Sequence, residues 1–166
     1  TTSRGFFVGG HDGTTNTTTL YFIGKTRTNP TGGTFDYKRT ITLGENGNVS
    51  GGAHVDFPVV ISETNDYFKT TGNGGNVYNE YGYDVIFTSD SDGTLVLDHE
   101  IEYYASTTGE YVAWVKVDSL AADTDIYMFY GNSNVTSTTE HIDEVWSSNY
   151  KMVTHMTDSG IGGVGS

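Results

Sequence analysis

Three groups of residues have the types and spacing to do chemistry. The first is the turn Ser89-Asp90-Ser91-Asp92-Gly93-Thr94. Calcium takes several oxygen ligands, and a D-x-D-G turn supplies carboxylates and carbonyls, so Asp90 and Asp92 are candidate calcium ligands. The distal Glu of an EF-hand loop is missing, and a plain hairpin turn, with Asp-Gly providing the positive φ, accounts for the same residues. The second group is Asp98, Glu100 and Glu102, which alternate along one strand. Carboxylates two residues apart on a strand lie roughly 7 Å from each other. That falls inside the roughly 5–9.5 Å range in which acid pairs hydrolyse glycosidic bonds. Nothing in the sequence marks one of these acids for a raised pKa, and the wet face of an antiparallel sheet explains the pattern better. The third group is the loop Tyr78-Asn79-Glu80-Tyr81-Gly82-Tyr83. Loop tyrosines set among Asn and Gly suit recognition surfaces, which makes Tyr78, Tyr81 and Tyr83 candidate ligand-binding residues, with surface glycans as the ligand class.

Other polar residues give weaker signals. His11, His54, His99, His141 and His155 are scattered, and none pairs at the i,i+2 or i,i+4 spacing of a shared zinc. His141-Ile142-Asp143-Glu144 reads as a capped turn. There is no G-x-S-x-G elbow for a serine nucleophile. Trp114 sits in an apolar run and is expected in the core; Trp146, Tyr103 and Tyr104 are further rings that could stack on sugars.

These residues have to be positioned by strands. The chain has 166 residues, no cysteine, 22 glycines, 12 tyrosines and a formal charge of -13. Without cysteine there are no disulfides, thiolate metal sites or cysteine nucleophiles. The acidity argues against nucleic acid, whose binders need a basic face, and no apolar run is long enough for a membrane helix. Charge is also split. Residues 1–40 carry five basic and two acidic side chains, whereas residues 41–166 carry three basic and nineteen acidic ones. Opposite signs can dock on a neighbouring subunit.

Gly5–Val8 and Leu20–Ile23 are apolar runs flanking the turn formers His11–Asn16, which predicts a hairpin. A Gly-rich loop at 28–33 sets the boundary of this extension, residues 1–33. Beyond it, Tyr37–Leu43 alternates with apolar residues at 37, 41 and 43. Val55–Ile61 is dense and apolar but broken by Pro58, which predicts an edge strand or a bulge. Asp84–Thr88 reads as a short buried strand. Leu95–Ala105 reads as one strand with Leu95, Leu97, His99, Ile101 and Tyr103 on one face, and Asp98, Glu100, Glu102 and Tyr104 on the other. Tyr111–Val117 and Asp125–Tyr130 complete the strong strands, Thr138–Trp146 is the one helical candidate, and 147–156 could form a last strand. Strands at this spacing predict an all-β, antiparallel, jelly-roll-like sandwich over 34–158 with an N-terminal β-hairpin extension. The Gly-rich stretch 159–166 has the composition of a linker.

At this point the order of segments resembles a known family. Tyr37-Lys38-Arg39-Thr40-Ile41-Thr42, Asp56–Ile61, Tyr83–Thr88 with Asp90–Thr94, Glu100-Ile101-Glu102, Val112–Val117, Ile126–Asn132 and Val145-Trp146 are similar, in order and spacing, to the bacterial domain of unknown function 2341. The resemblance implies a β-sandwich module of large exported proteins, often placed before a laminin-G or concanavalin-like lectin domain. It brings no catalytic residues. Ser3–Gly10 followed by Leu20–Ile23 resembles one unit of the kelch-like Gly-Gly repeats of phage structural proteins, and a lone unit cannot bury its own faces.

The expectation is a non-enzymatic structural module of an extracellular, cell-surface or virion protein. It would contribute to a fibre, filament or appendage through β contacts with other copies of itself or with neighbouring domains. The alternative is a carbohydrate-binding adhesin module. A hydrolase built on Glu100 or Glu102 stands third. Calcium is the one cofactor the residues offer; no nucleic acid or membrane insertion is expected.

Overall fold

A computed structural model of the chain describes residues 34–45, 48–146, 150 and 153, together with the backbone of 20–22. The described elements run β1 (Leu20–Phe22), β2 (Tyr37–Leu43), β3 (His54–Thr64), β4 (Val85–Thr88), β5 (Val96–Leu97), β6 (His99–Ala105), β7 (Glu110–Leu120), β8 (Thr124–Tyr130) and the single turn α1 (Ile142–Val145). They form two antiparallel sheets, a five-stranded one ordered β1-β2-β8-β4-β5 and a three-stranded one ordered β3-β7-β6. The all-β sandwich read from the strand spacing is therefore present. Of the N-terminal hairpin, one arm is seen as β1, paired with β2 so that Leu20 lies opposite Arg39 and Phe22 opposite Tyr37. The other arm, the repeat-like run 3–10 and most of 147–156 lie outside the described residues.

Alternation decides which side chains enter the core. In β7, Tyr111, Ala113, Val115 and Val117 are buried, while Val112, Trp114 and Lys116 take the opposite face. Ile41 and Leu43 from β2, Phe87 from β4, and Ile126, Met128 and Tyr130 from β8 meet them between the sheets. All four residues of β4 are buried, because its outer face is covered as well. There Ile86 and Phe129 form a second apolar cluster with Phe35, against which Val96, Tyr127 and Val135 pack.

β3 is an edge strand with Pro58 in its middle, as a residue without a ladder N–H requires. Two residues earlier Asp56 adopts φ +51. The β4–β5 hairpin turns at Gly93, where φ is +75 and an added Cβ would come within 2.9 Å of the Phe129 ring. Only glycine fits that combination.

Three expectations are corrected. The predicted strand Leu95–Ala105 is two strands: Val96–Leu97 pairs with β4, whereas His99 onward pairs with β7, so the chain changes sheets at Asp98. Within β6 the register shifts between Ile101 and Tyr103. That bulge reverses the expected faces, so Tyr103 is exposed and Tyr104 packs on the core, donating from its hydroxyl to the Phe68 carbonyl at 2.7 Å. Trp114 lies on the outer face of the three-stranded sheet rather than in the core, because strict alternation reserves the inner face for Ala113 and Val115.

Alternation also carries Arg39 inward, and an arginine buried between sheets needs a partner. It finds Glu63 on β3, with side chains 4% and 8% exposed, and its guanidinium lies 5.5 Å from the centre of the Phe68 ring. This ion pair joins β2 to β3 across the sandwich.

Candidate functional site

The tyrosine loop is organised by an acid that the sequence did not single out. Asp84 is fully buried and accepts hydrogen bonds from the amides of Tyr78 and Asn79, both at 2.8 Å, and of Asn132 at 3.2 Å. Burial pushes its carboxyl above the ordinary value, and the amide donors offset only part of that rise. One carboxylate thus ties the loop before β4 to the loop after β8. Asn79 Oδ1 then accepts from the Tyr81 amide at 2.9 Å. Tyr81 and Tyr83 come together, with ring centres 5.5 Å apart and planes tilted by 30°. Tyr78 and Tyr81 are exposed. The charge of Glu80 pushes the Tyr81 hydroxyl above its usual range. The loop presents rings from a fixed base.

At the candidate calcium turn, Asp90 serves its own backbone. Its carboxylate accepts from the Thr94 amide at 2.9 Å, the Leu95 amide at 2.7 Å and the Thr94 hydroxyl at 2.8 Å. Burial raises the Asp90 carboxyl, but these donors outweigh it and hold the group below the ordinary carboxylate value. Asp92 is exposed in the same turn. Among the described residues no three His, Cys, Asp or Glu side chains gather as a metal site. A cation at this turn would compete with Thr94 and Leu95 for Asp90.

The acid row and the tryptophans converge on the outer face of the three-stranded sheet. Trp114 donates from Nε1 to Glu102 at 2.6 Å, and Trp146 donates from Nε1 to Glu100 at 2.8 Å. The two indoles touch, with centres 5.2 Å apart, and Tyr150 packs edge-on against Trp146 at 5.4 Å. Asp98 lies at the end of the row between Lys116, at 2.7 Å, and His141, at 3.0 Å. Burial raises the Asp98 carboxyl, but its hydrogen bonds to Lys116 and His141 hold it below the ordinary value; the same contact raises Lys116.

The segment 138–146 forms a strap along β6. The His141 amide donates to the His99 carbonyl at 3.1 Å, Glu140 accepts from the Ile101 amide at 2.8 Å, and Lys116 reaches the Glu144 carbonyl at 2.6 Å. His141 precedes α1 without a side-chain cap bond; its ring faces Asp98 instead. This corrects the reading of that tetrapeptide as a capped turn. The two acids of the hydrolase reading, Glu100 and Glu102, are thus each engaged by an indole N–H. The bond from Asn132 to Asp84, the Arg39–Glu63 pair and the Asp98–Lys116–His141 group were not legible from spacing, because each joins residues between 18 and 48 positions apart.

Behind the acid row, His99 is buried between the sheets against Phe87, with ring centres 5.5 Å apart. Neither ring nitrogen has a hydrogen-bond partner among the described residues. Burial pushes its pKa down from 6.5 to about 4.

The fold and this site define an antiparallel β-sandwich whose smaller sheet carries an acidic, aromatic outer face beneath a strap. Residues 81–151 match the family model described as Domain of unknown function (DUF2341), which runs from the tyrosine loop through β4–β8 to the strap. The likeness drawn from the order of segments is thereby shown over that stretch. No curated protein and no solved structure matches the chain. Among the described residues no helix is long and apolar enough to cross a membrane.

Proposed function

We propose that the chain is a non-enzymatic structural module of a large extracellular or virion surface protein, and that its N-terminal segment makes β contacts with an adjacent copy to build a fibre or filament. The observation that carries this reading is the attachment of β1. Three residues, Leu20–Phe22, are added to the edge of β2. A segment held at a sheet edge is placed to pair with a neighbour, because an edge strand offers a row of backbone donors and acceptors. The split of charge between residues 1–40 and the rest favours the same contact. Removing residues 1–33 tests it: electron microscopy should show filaments or fibres of the native chain and none of the truncated one. Unchanged assembly without those residues would reject the proposal.

A second reading, a carbohydrate-binding adhesin module, rests on the Tyr81–Tyr83 ring pair and the base that Asp84 gives its loop. A glycan array checks it. Binding lost on changing Tyr81 and Tyr83 to Ala, with the fold intact, supports the adhesin; no bound glycan on the array rejects it.

A further inference from the structure

We infer that the tyrosine loop takes a glycan with a free amine, an amino sugar left unacetylated, whose pyranose ring lies on Tyr81 and Tyr83 and whose ammonium meets Glu80. The inference rests on the adhesin reading above and names its ligand class.

The rings are held in place before any ligand arrives. Gly82, between Tyr81 and Tyr83, has φ +78, and a Cβ there would lie 3.1 Å from the Tyr104 and Tyr111 rings. Glycine therefore lets the backbone settle on two rings that pack in the core. The Gly82 amide donates to the Asn79 carbonyl at 3.0 Å, and Asn79 is itself tied to the buried Asp84. Tyr81 is left 59% exposed, with the half-buried Tyr83 ring beside it. A fixed, open aromatic surface suits the flat face of a sugar, because little freedom is lost when it is covered.

Charge then selects among sugars. Glu80 is exposed next to these rings, and its charge already acts on the Tyr81 hydroxyl. The described lysines and arginines are engaged elsewhere: Lys38 donates to the Ser91 carbonyl at 3.0 Å, Arg39 is paired with Glu63, Lys69 with Asp66 and Lys116 with Asp98. The donors that hold Asp84 beneath the loop are neutral amides. A ring face attracts a cation, and a carboxylate beside it attracts the same cation. A sugar with an ammonium group uses both. A neutral or acetylated sugar uses the rings alone, and an acidic sugar is repelled. A lysine side chain would bring its cation on a flexible stem, whose ordering costs what a rigid pyranose does not.

Isothermal titration calorimetry of the full chain compares a glucosamine hexasaccharide with its fully N-acetylated counterpart, two ligands of one skeleton that differ in charge. The amine form should bind about tenfold more tightly, through an ion pair and a cation–π contact together. Glu80→Gln, at an exposed side chain, should weaken it about fivefold. Asp118→Asn removes an exposed acid at the other end of β7 from Tyr111 and should leave the affinity unchanged. Tyr81→Ala should abolish binding with the circular dichroism spectrum intact. Added salt should weaken the amine form and spare the acetylated one. An equal loss in Glu80→Gln and Asp118→Asn overturns the inference, because the attraction then belongs to the overall charge of the chain. So does a lysine peptide of matching charge that binds as tightly, because the sugar then adds nothing. If the two saccharides bind alike and both depend on Tyr81, the ammonium assignment is wrong and the adhesin reading stands. If neither binds and the glycan array is blank, the inference and the reading fail together.

Discussion

The two outer faces of the sandwich have opposite characters. On the five-stranded sheet, Ile86 and Phe129 are 0% and 2% exposed, sealed by Phe35 and by Val96, Tyr127 and Val135. On the three-stranded sheet, the outward positions carry Glu100, Glu102, Trp114 and Lys116, joined by hydrogen bonds to one another or to the strap. The first face is a second core. The second is a polar and aromatic surface whose charges are partnered but still reached by solvent. Substitutions on the sealed face should therefore register in stability, and those on the polar face in surface contacts.

The largest effect should come from breaking the sealed face. Phe129→Ala removes a buried ring that Phe35 meets edge-on at 6.4 Å. The cost should be about 3–5 kcal/mol, read from urea unfolding. A loss below about 1 kcal/mol would mean that this cluster is not a core.

Acid should act next, through the opposite sheet. His99 has a folded pKa of about 4 against an ordinary 6.5. Between those values the unfolded chain takes up a proton that the folded chain refuses, so the stabilisation present above pH 6.5 is lost as pH falls towards 4. The loss should total about 3 kcal/mol, at about 1.4 kcal/mol per pH unit. Asp98 and Asp90, both held below the carboxylate value of 3.8, add losses only at lower pH, and Asp84, shifted upward, acts in the opposite sense. Unfolding of the His99→Leu variant should lack the slope between pH 6.5 and 4; an unchanged slope would assign it elsewhere.

Trp146→Phe keeps a ring against Trp114 but deletes the donor to Glu100. About 1 kcal/mol should be lost, and the protection of the strap amides against hydrogen exchange should drop with it. Smallest of all, Tyr150→Ala should change stability by less than about 0.5 kcal/mol, because the ring is exposed. A thermal shift beyond a few degrees would show that the ring is structural and would blur the contrast between the faces.

Much of the fold was legible because strands announce themselves by period two. β2, β4, β7 and β8 fall where alternation or a buried run placed them, and Pro58 marked an edge. The tyrosine loop and the Asp90 turn were found by their own turn residues. A bulge has no signature in an alternating run, so Tyr103 and Tyr104 exchanged faces. Nor does alternation alone reveal which face is the core: Trp114 sits in an apolar run yet lies outward, while its neighbours Ala113 and Val115 are buried.

Local order follows from neighbouring residues: period-two patterning makes strands, Asp-Gly makes a turn, and Arg39 shares the inward face of β2 with Ile41, two positions away. Which distant groups meet is set by the packing of the two sheets. It joined Arg39 to Glu63, Asp84 to Asn132, and Glu100 to Trp146, because sheet pairing and the crossing at Asp98 bring together segments that no local rule relates. The physical reason is range: steric preference and alternation act between neighbours in the chain, whereas a buried charge takes its partner from whatever the folded sheets place beside it.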